Sequence, residues 1–305
     1  MAVHAGSLET VLVDRLARRF KPRRAGVVMG IGDDAAVLER DKRSYWLLTA
    51  DMLVASVHFR EDEDPRRIGY KALAVSVSDI AAMGGEPRYA LVSVGIPPSR
   101  AERTAGGLME GLARAARAFK VDIIGGDTVR SRRLVIDVSM VGVVERRCLV
   151  LRSGGRPGDV LFVSGPLGGA GRGRHLDFVP RLEAARFLVK NFKVHAMMDL
   201  SDGLAQDLER LTRSSRCGAV LTASDIPVHP QGRGLRSALY DGEDFELLFA
   251  MPVPEAGRLE RWVRTKRAPQ LFYPVGRLDR RVRGVWLEDG RERRRRLKAG
   301  GFSHF

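Results

Sequence analysis

A set of aspartates carries the chemistry open to this chain. "GIGDDAAV" sets Asp33 and Asp34 side by side, between glycines and an apolar run. Asp51 closes "WLLTAD", Asp79 interrupts the apolar "VSVSDIAA", Asp127 closes "DIIGGD", Asp199 closes "HAMMD", and Asp202 follows at the start of a helix. Unpaired carboxylates out of water cost several kcal/mol each, so a pair at the edge of a core requires a neutralising partner. The acids are too dispersed for a single-loop calcium site, and Cys and His are absent from the group, which excludes zinc. Carboxylates with carbonyls, a hydroxyl and water suit Mg²⁺, which shares its remaining positions with substrate phosphates. Several such ions on several aspartates make a platform for a triphosphate. Glycines in "GIGDD", "GGDT" and "SGPLGG" let backbone approach phosphate oxygens, and the helix after Ser201–Asp202 offers free N–H groups. Singly, Asp202 reads as a helix cap, Asp127 as a turn residue and Asp33 as a shaper of its own turn. Together, at element ends flanked by glycine, they read as one site. Asp79 has the fewest alternatives, because its helix is apolar on nearly every side.

The elements that must position these acids alternate between strand and helix. Residues 45–59 read as strand, turn and strand. The stretch 64–85 reads as a helix capped by Asp64, opened by Pro65 and stopped by Gly84–Gly85. "RYALVSVGIP" reads as a strand, and Ser99 with Glu102 as a capping box opening the next helix. "VDIIGG" reads as a short buried strand and "RLVIDVSMVGVVE" as a longer one. After the glycine-rich "RSGGRPGD" a second α/β unit begins, with strands at "VLFVSG", "HAMMD", "GAVLTA", "FELLFAM" and "QLFYPVG". Helices fit "RLEAARFLVKNF", "DGLAQDLERLTRSS" and "PEAGRLERWVRT". Asp289–Gly290 marks a closing hairpin. The N-terminal "LETVLVDRLARRF" has helical spacing, and its acids argue against a transit peptide.

A chain of 305 residues suggests roughly two domains. Composition, 44% hydrophobic and 29% charged, is that of a globular protein, and the longest apolar runs are too short to cross a membrane. Cys148 and Cys217 have no metal or redox spacing, which places the chain in the cytoplasm with two incidental thiols. The net charge of +15 raises the question of nucleic acid. Its basic residues are dispersed apart from "RERRRRLKAG", and zinc-finger and aromatic–glycine RNA-binding signatures are missing, so an anionic small molecule is the better match. GxxxxGK[ST] and the protein-kinase motifs are missing too.

"GIGDDAAV", "TADMLVASVHF", "YKALAVSVSDIAAMGGEP", "IIGGDT", "RSGGRPGD", "DLSDGL" and "GEDFELLF" together resemble the thiamine-monophosphate kinase family, in its order and spacing, over residues 29 to 305. "SDIAAMGG" with "GGDT" marks the wider aminoimidazole-ribonucleotide synthetase-like superfamily. The resemblance implies a two-domain α/β fold of α+β type: an N-terminal domain (1–148) that binds ATP and Mg²⁺ and helps form a β-barrel in a homodimer, and a C-terminal α/β domain (149–305). It implies ATP-dependent phosphorylation of thiamine monophosphate to thiamine diphosphate, with ATP between the domains and neither nucleic acid nor membrane as partner. The implied magnesium ligands are Asp34, Thr49, Asp51, Asp79, Asp127, Asp199 and Asp202. The nucleotide contacts are Gly126, Asp127, Arg152 and Ser201, and the thiamine-phosphate contacts are His58, Glu243 and Phe302. Asp34, Asp51, Asp79, Asp127, Arg152 and Asp202 would carry the catalysis. Asp34 is then held by magnesium, and Asp33 by the turn's backbone or a second metal's water. Ala50 stands where a hydroxyl residue is common, Asp241 where glycine is usual, and "GPLGGAGRGRH" is short and arginine-rich, as in a remodelled mobile loop. The alternatives are a sister chemistry of the superfamily, such as aminoimidazole-ribonucleotide or selenophosphate synthesis.

Overall fold

The structure, a computed structural model, describes residues 8–266, 272–290, 293–298 and 300–301. Its first half is a six-stranded sheet of β1 (Val27–Met29), β2 (Ala36–Glu39), β3 (Ser44–Val54), β4 (Glu86–Ile96), β5 (Asp122–Arg130) and β6 (Val135–Glu145), in the order β1-β2-β3-β6-β4-β5. The β4–β5 pair is parallel and the other pairs are antiparallel. On β6, Ile136, Val138, Met140, Gly142 and Val144 are buried, and the residues between them are half-buried. This period of two gives the sheet one core face. Helix α1 (Leu8–Arg19) precedes the sheet, and α2 (Pro65–Ala82) and α3 (Ala101–Phe119) lie within its connections.

Helix α2 is nearly all buried. The Asp64 carboxylate accepts from the Arg66 N–H at 2.9 Å, Pro65 fixes the first turn, and Gly84 at φ +75° carries the chain away from the end. Against α3 it packs backbone to backbone. A Cβ on Gly111 would lie 1.9 Å from the Arg66 carbonyl oxygen, and one on Gly69 would lie 2.4 Å from that of Leu108.

The second half is a seven-stranded sheet of β7 (Val160–Val163), β8 (Ala196–Asp199), β9 (Gly218–Thr222), β10 (Leu247–Met251), β11 (Tyr273–Asp279), β12 (Val285–Glu288) and β13 (Arg294–Arg296), in the order β13-β12-β9-β11-β7-β10-β8. Helices α4 (Leu182–Asn191), α5 (Leu204–Ser214), α6 (Leu235–Tyr240) and α7 (Val253–Lys266) complete it. One hydrophobic core runs from α2 through α4 to Phe162, Phe249 and Phe272 of the second half, and another joins the second sheet to α5. Both sheets are mixed, and among the described residues the first is open: no closed barrel forms within the chain.

Three local expectations need correction. β3 does not end at Asp51 but runs on to Val54, because its whole length pairs with β6. "VDIIGG" is not a buried strand: β5 is the outer strand of its sheet and each of its residues is exposed. Ser99 sits inside a 3-10 turn, Pro98–Arg100, that leads into α3. The arginine-rich 165–175 segment is anchored as well. Its Gly168 and Gly169 N–H groups donate to Asp244, and Arg174 pairs with Glu246.

The α2–α3 contact makes a prediction of sign. An exposed helical Gly→Ala change is stabilising by up to about 1 kcal/mol. Gly111→Ala should instead destabilise the fold by about 1–3 kcal/mol, since the helices must separate. Urea denaturation with an unchanged slope and a lower midpoint is the expected result.

Candidate active site

Three elements bring Asp34, Asp79 and Asp199 together. Asp34 comes from the turn between β1 and β2, Asp79 from the last turns of α2, and Asp199 from the end of β8, with one carboxylate oxygen of each within 4.8 Å of the others. Hydroxyls fix two of them: Thr49 Oγ1 donates to Asp79 at 2.5 Å, and Ser78 Oγ to Asp199 at 2.6 Å. Asp51, which lines the adjoining cavity, accepts from Ser76 Oγ at 2.7 Å. Arg152 closes the group from the other side. Its guanidinium pairs with Asp34, and its backbone N–H donates to Asp33 at 3.1 Å. The Asp34 N–H also reaches Asp33, so Asp33 is held by backbone groups.

Carboxylates crowded in this way resist full ionisation. Burial raises Asp79 well above the usual carboxylate range, and Asp51, Asp199 and Asp34 push it further. Burial, then Asp34, does the same to Asp199. Asp51 is raised to about 6: burial lifts it, the Ser76 hydroxyl opposes, and Asp137 and Asp34 add to the lift. Burial also works against the Arg152 charge, but Asp34 and Asp33 more than offset it. The folded chain therefore holds protons more tightly than the unfolded chain. That stability is complete below the ordinary carboxylate value of 3.8 and is lost as pH climbs through the raised folded values. Asp34 Oδ2 is buried with no hydrogen-bond donor. An acceptor-only, hard-oxygen cluster with such an atom fits a hard divalent cation.

Beside the cluster lies a cavity of about 960 Å³ whose wall includes Asp51, Arg152, Ser201, Asp202, His58 and Glu243. Its size is that of a small-molecule site. Asp202 does not cap α5. The N–H groups of Asp202 and Gly203 donate to Asp207 instead, at 2.9 and 3.1 Å, and this leaves the Asp202 carboxylate to Arg210 and Gln206. His58 Nδ1 accepts from the Val54 N–H at 3.0 Å, and Glu243 pairs with Lys71. Ala50 lines the same cavity, while Asp241 is exposed at the end of α6.

Gly126 and Asp127 stand apart. Across the sheet, Met52, Asp137, Ser93 and Asp127 form one row. Asp127 is thus three strand spacings, roughly 14 Å, from β3. Alternation also points its carboxylate to the face opposite Asp51, and it accepts from the Thr128 N–H. Phe302 lies outside the described residues. Ser76, Ser78, Lys71, Asp207 and Arg210 went unread from sequence. The spacing of Ser76, Ser78 and Asp79 on one buried helix was a usable signal for the serines.

Comparison with known proteins adds an independent finding. The family model for the AIR synthase related protein N-terminal domain matches residues 32–144, and that for the C-terminal domain matches residues 156–277. The thiamine-monophosphate kinase of Rhodopirellula baltica is 37% identical over 298 residues, which cover 91% of this chain and 92% of that one. The thiamine-monophosphate kinase of Bacillus subtilis is 36% identical over 252 residues, covering 73% and 77%. Among solved structures, AaThiL complexed with AMPPCP and TMP matches with a TM-score of 0.81 at 28% identity, covering 99% of this chain and 100% of that one.

The charge crowding yields a stability prediction. In cation-free buffer at pH 8, Asp79→Asn should melt about 2–6 °C above the unsubstituted chain, because a neutral amide still accepts from Thr49 without the repulsion. The gap should close towards pH 4. An unchanged or lower melting temperature at pH 8 would count against the crowding.

Proposed function

The chain belongs to the thiamine-monophosphate kinase family, and on that premise we propose that it moves the γ-phosphoryl group of ATP to the phosphate of thiamine monophosphate. One observation carries this reading: a cluster of three carboxylates, two buried and one half-buried, beside a cavity large enough for a nucleotide phosphate chain and its acceptor. An oxygen of the acceptor phosphate forms the new bond to the γ-phosphorus, the bond to the bridging β–γ oxygen breaks, and ADP leaves with that oxygen. The acceptor oxygen is already ionised near neutral pH, so a general base is not needed. The difficulty is to bring two anions into line, and positioning with charge neutralisation lowers it.

Mg²⁺ would be held by Asp34, Asp79 and Asp199, with Asp51, Thr49 and Asp202 alongside, and would supply positive charge to the phosphates. Arg152 and Ser201 face the same cavity and serve the nucleotide. His58 and Glu243 serve the acceptor, as does Phe302. We assign residues 1–148 to the nucleotide and dimerisation domain, residues 149–305 to the C-terminal domain, and the whole to the cytoplasm.

The homodimer belongs to this reading. On the first sheet, Leu48, Met52, Tyr89 and Leu91 are exposed on the face away from α2, and β5 is exposed along its length. A second copy on that face would cover this apolar surface. It would also give Asp127, in the row of the cavity-lining Met52, and its neighbour Gly126, in the row of Asp51, a route to a site. A selenide-activating sister chemistry wants a reactive cysteine near the N-terminus, whereas Cys148 is buried. Among the described residues no helix is long and apolar enough to cross a membrane.

With ATP, Mg²⁺ and thiamine monophosphate, the purified chain should form ADP and thiamine diphosphate in equal amounts, and none without divalent cation or with free thiamine. Asp79→Asn should lower turnover at least about 100-fold with the fold intact. Bound ATP without product would overturn the reading in favour of a sister chemistry. Near-normal turnover in the variant would remove Asp79 from the cation site.

A further inference from the structure

Lys71 is an ionisable residue that is fully buried on α2, eight residues before Asp79. Its ammonium donates to three partners: the His58 carbonyl oxygen at 2.8 Å, His175 Nδ1 at 2.8 Å and the Glu243 carboxylate. An ammonium has three N–H donors, so all are used. His175 is a competent acceptor. Burial, Lys71 and Arg67 lower its pKa to about 4, which keeps the ring neutral.

The three partners belong to three segments. His58 and Glu243 line the cavity, and His175 ends the arginine-rich 165–175 segment. Glu243 and Phe245 are non-glycine residues at φ 54° and 50°. Such backbone persists only where its surroundings over-determine it. The N–H groups of both residues donate to Ser201 and Leu200 carbonyls, and Phe245 stacks on Phe178 at 4.1 Å. Lys71, and His175 with its Nδ1 at 3.1 Å, add side-chain restraints on Glu243. On α2 itself, Lys71, Val75 and Asp79 follow at i, i+4 and i+8, one stripe about 12 Å long. Val75 also lines the cavity. One helix thus reaches both the carboxylate cluster and the wall formed by His58 and Glu243.

We infer that Lys71 is a positioning residue for the acceptor: by joining the 54–59 turn, the 165–175 segment and the 241–246 segment, it sets the wall against which the non-phosphate end of the acceptor is seated. This rests on the kinase reading above. Since the Glu243 charge is matched by Lys71, Glu243 acts on the acceptor as a fixed hydrogen-bond acceptor, not as a lone counter-ion.

Steady-state kinetics with calorimetric binding of thiamine monophosphate and of ATP test this. Lys71→Met should raise the KM and Kd for thiamine monophosphate at least tenfold, with the KM and Kd for ATP within about threefold. Adding Glu243→Gln to Lys71→Met should raise the acceptor KM no further, since both changes remove one arrangement. His175→Ala removes a single partner and leaves the helix core intact. It should shift the acceptor KM about three- to tenfold, and it keeps the test open if Lys71→Met does not fold. Equal changes for both substrates, or none, would overturn the proposal while leaving the kinase reading in place. An unsubstituted chain that neither binds nor converts thiamine monophosphate would remove that reading, and this proposal with it.

Discussion

The mutual repulsion of buried aspartates governs this molecule. Asp34, Asp79 and Asp199 come from a turn, a helix and a strand of different sheets, and folding drives them into one crowded space. Such a group has three ways to exist: it holds protons, it leans on a fixed cation, or it takes up a mobile one. The Arg152 guanidinium against Asp34 is the second, and the raised pKa values of Asp79 and Asp199 favour the first. The buried Asp34 oxygen without a donor is the opening for the third. Stability is spent locally so that a cation and a phosphate chain are more welcome than water.

Helix α2 turns this constraint into a site. It is buried on nearly every side, packs backbone to backbone on α3 and shares its core with both sheets, so it is tied to each. One stripe of it then carries two kinds of polar group into a dry interior. Ser76, Ser78 and Asp79 serve the carboxylate end, and Lys71 ties the segments at the other. Each of these groups is partnered, as burial of a polar group requires. The result is a site whose two ends sit at a fixed separation on one rigid element.

Much of this was legible in the sequence, for identifiable reasons. Asp64, Pro65 and Gly84–Gly85 bound α2 by local chemistry, and a carboxylate inside the apolar "VSVSDIAA" had to find a partner in space. Asp34 and Asp199 showed themselves at the ends of apolar runs. Lys71 did not, because one lysine in a helix reads as a solvated residue until tertiary structure covers it. Asp207 was hidden for a related reason: the cap of α5 comes from within the helix, which frees Asp202 to face Arg210. The sheet position of Asp127 was not legible, because sequence alternation gives a strand's two faces but not which neighbour covers them. "VDIIGG" looked like core and is the outer strand of an open sheet.

The most direct test of the governing constraint is the proton balance on cation binding. Mg²⁺ should be titrated into the metal-free chain by calorimetry at pH 7, in two buffers of different ionisation enthalpy. Carboxylates that hold protons in the folded chain must give them up to the cation, so proton release is expected, shrinking as pH rises and falling in Asp79→Asn. Binding without proton release, identical in the two buffers, would show that these aspartates are ionised before the cation arrives and would contradict the account at its root.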